Sequence, residues 1–426
     1  MSRVFATALL SGVSAFVLIA GQGAAQAAGF AIREQSAEGQ GAAFAGIGAG
    51  GADLSSIFFN PATITLHDGW QFEADAALIV PYSRADDGSL SPAGTLLPPG
   101  VSGDSGDVGS LEFVPATYAS VQVNDRLYLG LSVNAPFGLS TKANEDWVGA
   151  PHGVKSQVTT YNISPMIGLK LSDELSVAAG VQVNYVDATL TSHFPFAVAP
   201  VVPEGLDVRV KGDDWGVGFT AGLMWQPTAT TRIGLGFRSM IEHELEGRAK
   251  VEQGGATLSS GNATAPLDLP ETVTLGIRQE ITERATLLLG VEWANWSRFK
   301  TLTVNSEKGL APIGGESVTP EHWNDSWFFS LGGEYRWSPA LTLRAGVAYE
   351  DSGVPTSTRT PRVPDNNRYW VSVGASYAFS ERLSFSVAYS HLFVEDGKVA
   401  LEEPTPLHAE FEQDIDMVSL SGRVSW

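Results

Sequence analysis

The feature that most constrains this chain is a two-residue alternation running through nearly all of it after residue 68. In "RYWVSVGASYAFS" (368 to 380), Tyr369, Val371, Val373, Ala375, Tyr377 and Phe379 share one face of an extended chain. Arg368, Ser372, Gly374, Ser376 and Ala378 share the other, with Trp370 among them. "ALTLRAGVAYED" (340 to 351) and "ERLSFSVAYS" (381 to 390) repeat the pattern. Successive side chains of a strand point to opposite faces, so these are β-strands with one apolar face. No segment past the N-terminus offers the roughly 18 consecutive apolar residues of a membrane helix. Yet hydrophobic residues make up 43% of the chain and aromatics 10%. A soluble sandwich fits these values, and so does a membrane barrel, whose lipid face is hidden from hydropathy by the alternation.

The connections decide between the two. About fourteen strand-like segments are joined by linkers that alternate in length. The short ones are "ND" (124 to 125), "SDE" (172 to 174), "QPTAT" (226 to 230), "TER" (282 to 284), "SPA" (338 to 340) and "SER" (380 to 382). The long ones run roughly 83 to 110, 139 to 156, 193 to 208, 252 to 268, 305 to 320, 354 to 365 and 398 to 410. Short periplasmic turns and long external loops are the signature of an outer-membrane barrel; a sandwich has no reason to gather every long loop at one end. Closure follows, because no backbone polar group can stay unpaired in lipid. The expected fold class is all-β: a transmembrane antiparallel β-barrel of about fourteen strands. The last strand, "MVSLSGRVSW", ends the chain on Trp426, as outer-membrane strands often do.

The address agrees. Residues 1 to 27 carry one cation (Arg3), an apolar run from Val13 to Ala20 and small residues at Ala25 and Ala27. That is a cleaved secretory signal, with Ala28 as the expected mature start. There are no cysteines, so an exported fold does without disulfides. A net charge of −21 argues against a nucleic-acid partner. The expected location is the outer membrane of a Gram-negative bacterium.

Residues 28 to 66 break the alternation. "AGFAIREQSAEGQGAAFAGIGAGGADLSSIFFNPATIT" is rich in small residues and cannot bury enough apolar surface to fold alone. A fourteen-stranded barrel is too wide to be filled by its own side chains. The segment is therefore expected as a hatch inside the lumen of a barrel formed by 67 to 426. A general water-filled porin is disfavoured by such a plug.

These residues resemble the N-terminal hatch of the FadL family, outer-membrane transporters of long-chain fatty acids and other hydrophobic compounds. "NAPFGLST" (134 to 141), "NWSRF" (295 to 299) and "VPDNNRYWVSVGASYAF" (363 to 379) carry the resemblance across essentially the whole mature chain. It implies ligand-gated passive diffusion. A hydrophobic molecule is caught in an external groove, passed to a pocket, and released sideways through a wall opening where the third strand is kinked. Phe30 corresponds to the family's N-terminal Phe at the pocket. Asn60, Pro61 and Ala62 correspond to the hatch motif beside the kink, with Asn134, Pro136, Phe137 and Gly138 as the kinked strand. Pro136 cannot donate to a ladder, which suits a break in pairing there. A proline at a loop edge is the simpler alternative.

The apolar external loop 192 to 205 offers Phe194, Phe196, Val198, Val201 and Val202 as groove residues, unless they pack only against a neighbouring loop. The family's fatty-acid members place basic residues in the pocket. Here Asn324 stands where a lysine is sought. Arg298, Arg344 and Arg368 are the inward candidates, against an interior ion-pair network with Glu292, Glu334 or Glu350. The ligand is thus a fatty acid or a neutral aromatic or aliphatic hydrocarbon.

Other chemistry is thin. The seven His make no metal-ligand spacing and no Ser/His/Asp set is gathered by periodicity. No catalytic residue, metal or cofactor is expected. The acidic pairs Asp104 and Asp107, and Glu402 and Glu403, suit solvated loop charge or Ca²⁺ bridging to lipopolysaccharide. The expected partners are a hydrophobic small molecule and outer-membrane lipid with its lipopolysaccharide, around a monomer. A structural or adhesive surface barrel and a barrel-scaffolded hydrolase are the rivals from other classes.

Overall fold

The computed structural model describes residues 29–94, 97–198, 202–306 and 315–426. The expected signal segment 1–27, Ala28 and Val201 lie outside the described residues. The wall is a closed antiparallel barrel of 14 strands. In chain order they are β1 (Trp70–Arg84), β2 (Glu112–Gln122), β3 (Leu127–Asn134), β4 (Lys155–Lys170), β5 (Leu175–Phe194), β6 (Leu206–Thr228) and β7 (Thr231–Arg238). Then come β8 (Thr272–Glu280), β9 (Ala285–Ala294), β10 (Ser326–Arg336), β11 (Leu341–Glu350), β12 (Arg368–Ala378), β13 (Leu383–Val394) and β14 (Leu407–Ser425). Each pairs with its neighbours in sequence. β1 and β14 close the ring from Gln71↔Ser425 to Arg84↔Glu412. Among the described residues no helix is long and apolar enough to cross a membrane.

The alternation read from the sequence is the wall. On β12, Tyr369, Val371, Val373 and Tyr377 are exposed while Arg368, Trp370 and Ser372 are buried in the lumen. On β6 the outward row Trp215, Val217, Phe219, Leu223 and Trp225 is exposed. Ten residues at about 3.3 Å, tilted near 45°, set the two tryptophans roughly 23 Å apart in height, close to the ~25 Å apolar band of such barrels.

The stretch 252 to 268, expected as a loop, is instead part of a hairpin of strands Ile241–Gln253 and Ala256–Leu269. Ile241–Gln253 continues the sheet by pairing with the upper half of β6. The reason is that β6 outruns β7: β5 pairs with one edge of Leu206–Asp213, β7 does not reach the other, and the loop folds into strands to satisfy that edge.

The hatch elements fill the lumen. They are one short α-helix, α1 (Ala37–Gly41), and the 3₁₀ turns Ile47–Ala49, Ser55–Phe58 and Pro61–Leu66. Close approach depends on glycine. A Cβ on Gly234 of β7 would lie 1.9 Å from the Gly48 carbonyl oxygen, and one on Gly346 of β11 2.2 Å from that of Ala42. Ion pairs fasten the rest. Arg33 reaches Glu292 at 2.6 Å and Glu350 at 3.1 Å, and Arg344 joins Glu38 of the hatch (3.0 Å) to Glu334 of the wall (2.9 Å).

Candidate functional site

The third strand breaks where proline sits. Asn134 is opposite Asn162 and Gly138 is opposite Thr159. Three residues, Ala135, Pro136 and Phe137, therefore face two, Thr160 and Tyr161, which is a one-residue bulge. Thr160 fills the disrupted ladder with its hydroxyl, accepting from Phe137 N–H at 3.0 Å and donating to the Phe137 carbonyl at 2.7 Å. On the other side, β2 pairs with β3 only from Thr117↔Val133 down to Gln122↔Tyr128. Above Thr117, β2 pairs with β1 alone, and the strands meet again only at the Gly109↔Thr141 bridge. The ladder is open between these points.

The hatch N-terminus lies against this break from inside. Ile32 N–H donates to the Pro136 carbonyl and Gly138 N–H to the Phe30 carbonyl, both at 2.8 Å. The Gln35 side-chain amide donates to the Ala135 carbonyl at 2.8 Å. Asn60, Pro61 and Ala62 do something else. The Asn60 oxygen caps the following turn at Ala62 N–H, and its NH₂ donates to the Gly48 and Leu223 carbonyls. Pro61 and Ala62 lie against Gly222 of β6. The expectation that this motif flanks the kink is thus corrected: it seats the hatch on β6 and β7, where paired glycines leave room, while residues 30 to 35 hold the kink.

Phe30 is 3% exposed and sits in an aromatic cage. Its ring centroid is 4.7 Å from Trp296, 6.0 Å from Trp323 and 6.2 Å from both Phe137 and Phe299. Above it runs an apolar slot of about 80 Å³, lined by Leu139, Val158, Leu245, Leu267, Phe299 and Val363. Below it a second space of about 50 Å³ lies between Ile32, Phe58, Pro136, Phe137, Leu269 and Trp296. Phe30 lines the slot, and its neighbours Ala31 and Ile32 line the lower space, so the hatch N-terminus stands between the two.

At the outer end the slot meets a cavity of about 680 Å³, walled by Phe194, Val208, Leu302, Val318, Leu401 and Pro404 among others. Of the expected groove residues, Phe194 lines this cavity. Val198 and Val202 exchange backbone hydrogen bonds and pack on the same core as Phe30. Phe196 turns instead to a separate core around Trp147 and Phe411, so its expected place in the groove is corrected.

The three expected pocket arginines are not on the slot. Arg298 is exposed and bonded to Glu271 on the outer rim at 2.7 Å. Arg344 is held by Glu38 and Glu334, and Arg368 by Asp365 and Glu350. The two buried ones, Arg344 and Arg368, sit among carboxylates, which offset the cost of burying a guanidinium. Arg362 does line the slot, at its junction with the outer cavity, and is largely buried; Lys211 also borders the slot, but its side chain is exposed and paired with Asp187. Arg362 is bonded to neutral groups: the Lys155 carbonyl (3.3 Å), Ser156 Oγ (3.1 Å) and Ser192 Oγ (2.9 Å). Among the described residues no carboxylate lies within salt-bridge distance of it. Burial pushes its guanidinium down to about 10, so it stays charged at neutral pH. Glu321 also lines the slot and accepts from Trp323 Nε1 at 2.9 Å. Burial lifts its carboxyl to about 7. Arg362 was missed in the sequence because it lies in a loop, between two prolines, where no periodicity assigns an inward face. Asp104, a candidate cation ligand, is bonded to Arg84, and Asp107 caps the backbone N–H groups of Ser83 and Gly109.

A barrel with an internal hatch, an outer cavity, an apolar slot and a broken third strand defines a class: plugged outer-membrane channels for apolar solutes. The chain belongs to the outer membrane protein transport protein family (OMPP1/FadL/TodX), whose model matches residues 17–423. It is an outer-membrane transporter of hydrophobic compounds. It is 26% identical over 418 residues to the long-chain fatty acid transport protein of Escherichia coli K12, covering 88% of this chain and 90% of that one. Outer membrane protein P1 of Haemophilus influenzae is 26% identical over 414 residues, covering 89% and 88%. In fold it resembles a Pseudomonas aeruginosa FadL homologue, with a TM-score of 0.85 at 24% identity over 93% of this chain and 100% of that one. The Pseudomonas putida toluene transporter TodX has a TM-score of 0.68 at 18% identity over 88% and 95%.

Proposed function

We propose that this chain takes up long-chain fatty acids by ligand-gated passive diffusion. The observation that carries the reading is Arg362, a buried cation with neutral partners at the mouth of an apolar slot. A carboxylate there meets an unspent guanidinium, and the alkyl chain runs down the slot toward Phe30. Each methylene taken from water contributes about 0.8 kcal/mol. The charge-assisted bond at Arg362 adds about 1.5–3 kcal/mol. A ligand pressing on the Phe30 cage loosens the hatch N-terminus, which is bonded to the kink, and the open ladder between β2 and β3 becomes the sideways exit. Closure of the sheet within one chain leaves no edge for a partner, which supports a monomer.

Neutral hydrocarbons are the second reading, favoured by the largely apolar lining of the slot. Uptake of labelled oleate and of toluene, in cells with and without the gene, separates the outcomes. Independence of both from the gene ends the transport reading. In purified protein, Arg362→Met is expected to weaken oleate binding about 10- to 100-fold and leave toluene binding unchanged. Equal oleate binding by the variant makes the hydrocarbon reading the better one.

A further inference from the structure

The outer half of β6 carries a charge pattern that the transport reading does not use. Its outward row continues above Trp215 as Asp213, Lys211, Arg209 and Asp207. The outward row of the paired strand Ile241–Gln253 runs Glu246, Arg248, Lys250, Glu252. The register sets Arg209 directly opposite Lys250, and Lys211 directly opposite Arg248. Four cations thus occupy two adjacent cross-strand rows, about 5 Å across and about 7 Å apart along the strand. Like charges directly opposite each other are destabilising. A shift of one pair in register would have set cation against acid in two rows and left a single opposed cation pair, since Asp207 and Asp213 bracket the block on one strand and Glu246 and Glu252 on the other.

Internal neutralisation covers only half of the block. Lys211 reaches Asp187 at 3.0 Å and Lys250 reaches Glu252 at 2.7 Å. Arg209 and Arg248 are exposed, and among the described residues neither has a carboxylate within salt-bridge distance. The flanking columns are neutral: Thr191 and Thr189 on β5, Ser260 and Asn262 on the far strand. These two guanidiniums form a diagonal fork with hydroxyl and amide groups on either side, a surface suited to a phosphate, which Arg binds bidentately.

Height selects the phosphate. Trp215 is 62% exposed and marks the top of the apolar band. Lys211 and Arg209 lie four and six residues beyond it on the same face. At about 3.3 Å per residue and a tilt near 45°, that is roughly 9–14 Å above the girdle. The headgroup zone of a phospholipid bilayer extends only about 5–7 Å beyond the hydrocarbon on each side. The geometry points to a docking site for the phosphorylated inner sugars of an outer-leaflet glycolipid, lipopolysaccharide, at Arg209, Lys211, Arg248 and Lys250.

The test uses the full-length protein purified from cells that make lipopolysaccharide, with glycolipid retained per barrel measured by mass spectrometry. Arg209→Gln/Arg248→Gln removes the fork and keeps both lysine ion pairs. Retention is expected to fall at least tenfold, with heat-modifiable migration and oleate affinity unchanged. Rough lipopolysaccharide added to delipidated protein is expected to raise the unfolding temperature of the wild type and not of the double variant. Enzymatically dephosphorylated glycolipid is expected to raise neither. Arg382→Gln, at a periplasmic turn, is expected to retain glycolipid like the wild type. Wild-type retention by the folded double variant overturns the proposal. So does an equal shift from dephosphorylated glycolipid or from phosphatidylglycerol, or an equal loss in Arg382→Gln.

Discussion

Replacing Phe30 by Ala tests whether one ring holds the hatch N-terminus in place. Residues 29 to 32 are docked by the buried ring and by backbone hydrogen bonds from Gly29 to Asp365 (3.0 Å), from Gly138 to Phe30 and from Ile32 to Pro136. Truncating a buried Phe costs about 3–5 kcal/mol. Net contributions of about 0.5–1.5 kcal/mol from each hydrogen bond bring the favourable total to roughly 4.5–9.5 kcal/mol. Ordering the backbone of four residues opposes this by about 4–8 kcal/mol. The two sides nearly cancel, so the ring decides whether the segment is docked. In Phe30→Ala the segment is expected to undock. Hydrogen exchange followed by mass spectrometry reads this directly: the amides of Ile32 and Gly138 should lose protection while the barrel strands keep theirs. Oleate uptake at saturating ligand should rise and its binding weaken, because the slot loses its floor. Wild-type protection at Ile32 and Gly138 in the variant would refute the energetic argument. Lost protection with unchanged uptake would refute the gating role.

Three further perturbations follow from particular contacts. Deleting Pro136 removes the extra residue and lets Ala135 pair with Tyr161 and Phe137 with Thr160. Oleate uptake should then fall, and a regular ladder by hydrogen exchange with undiminished uptake would sink the sideways exit. A point substitution at Pro136 is expected to do less, since the bulge stays. Glu321, lifted to about 7 by burial, is neutral below that pH and an anion above it. Affinity for an ionised long-chain carboxylate should therefore fall several-fold as pH rises from about 6 to 8. Glu321→Gln should flatten the profile, and a long-chain alcohol should show no such trend; a wild-type profile in the variant would remove Glu321 from the site. Gly234→Val places a side chain where the Gly48 backbone lies. The hatch should shift and single-channel conductance in planar bilayers rise, whereas a silent pore would show that the hatch accommodates the change elsewhere.

The alternation of residues such as Tyr369, Val371 and Val373 against Arg368 and Ser372 determined the strands and their apolar face by itself. Period two is a local property: backbone geometry alternates faces whatever the rest of the chain does. Linker lengths then set the strand number and the end that carries the loops, and the small residues of 28 to 66 announced something packed inside. The resemblance pointed rightly to the family and implied a kinked third strand, to which a proline that cannot donate was suited. What could not be read is who opposes whom across the lumen. Arg33 meets Glu350 over 317 positions of sequence, and Gly29 meets Asp365 over 336. Such pairs follow from the stagger of closure and from how deep the hatch sits, and neither leaves a periodic trace. Arg344 and Arg368 took the interior ion-pair alternative, with Glu334 and Glu350, but the hatch partner Glu38 of Arg344 was not legible. For the same reason Asn60 to Ala62 proved to face β6 and β7, and Arg362, in an aperiodic loop, lines the slot only because the loop folds back over it.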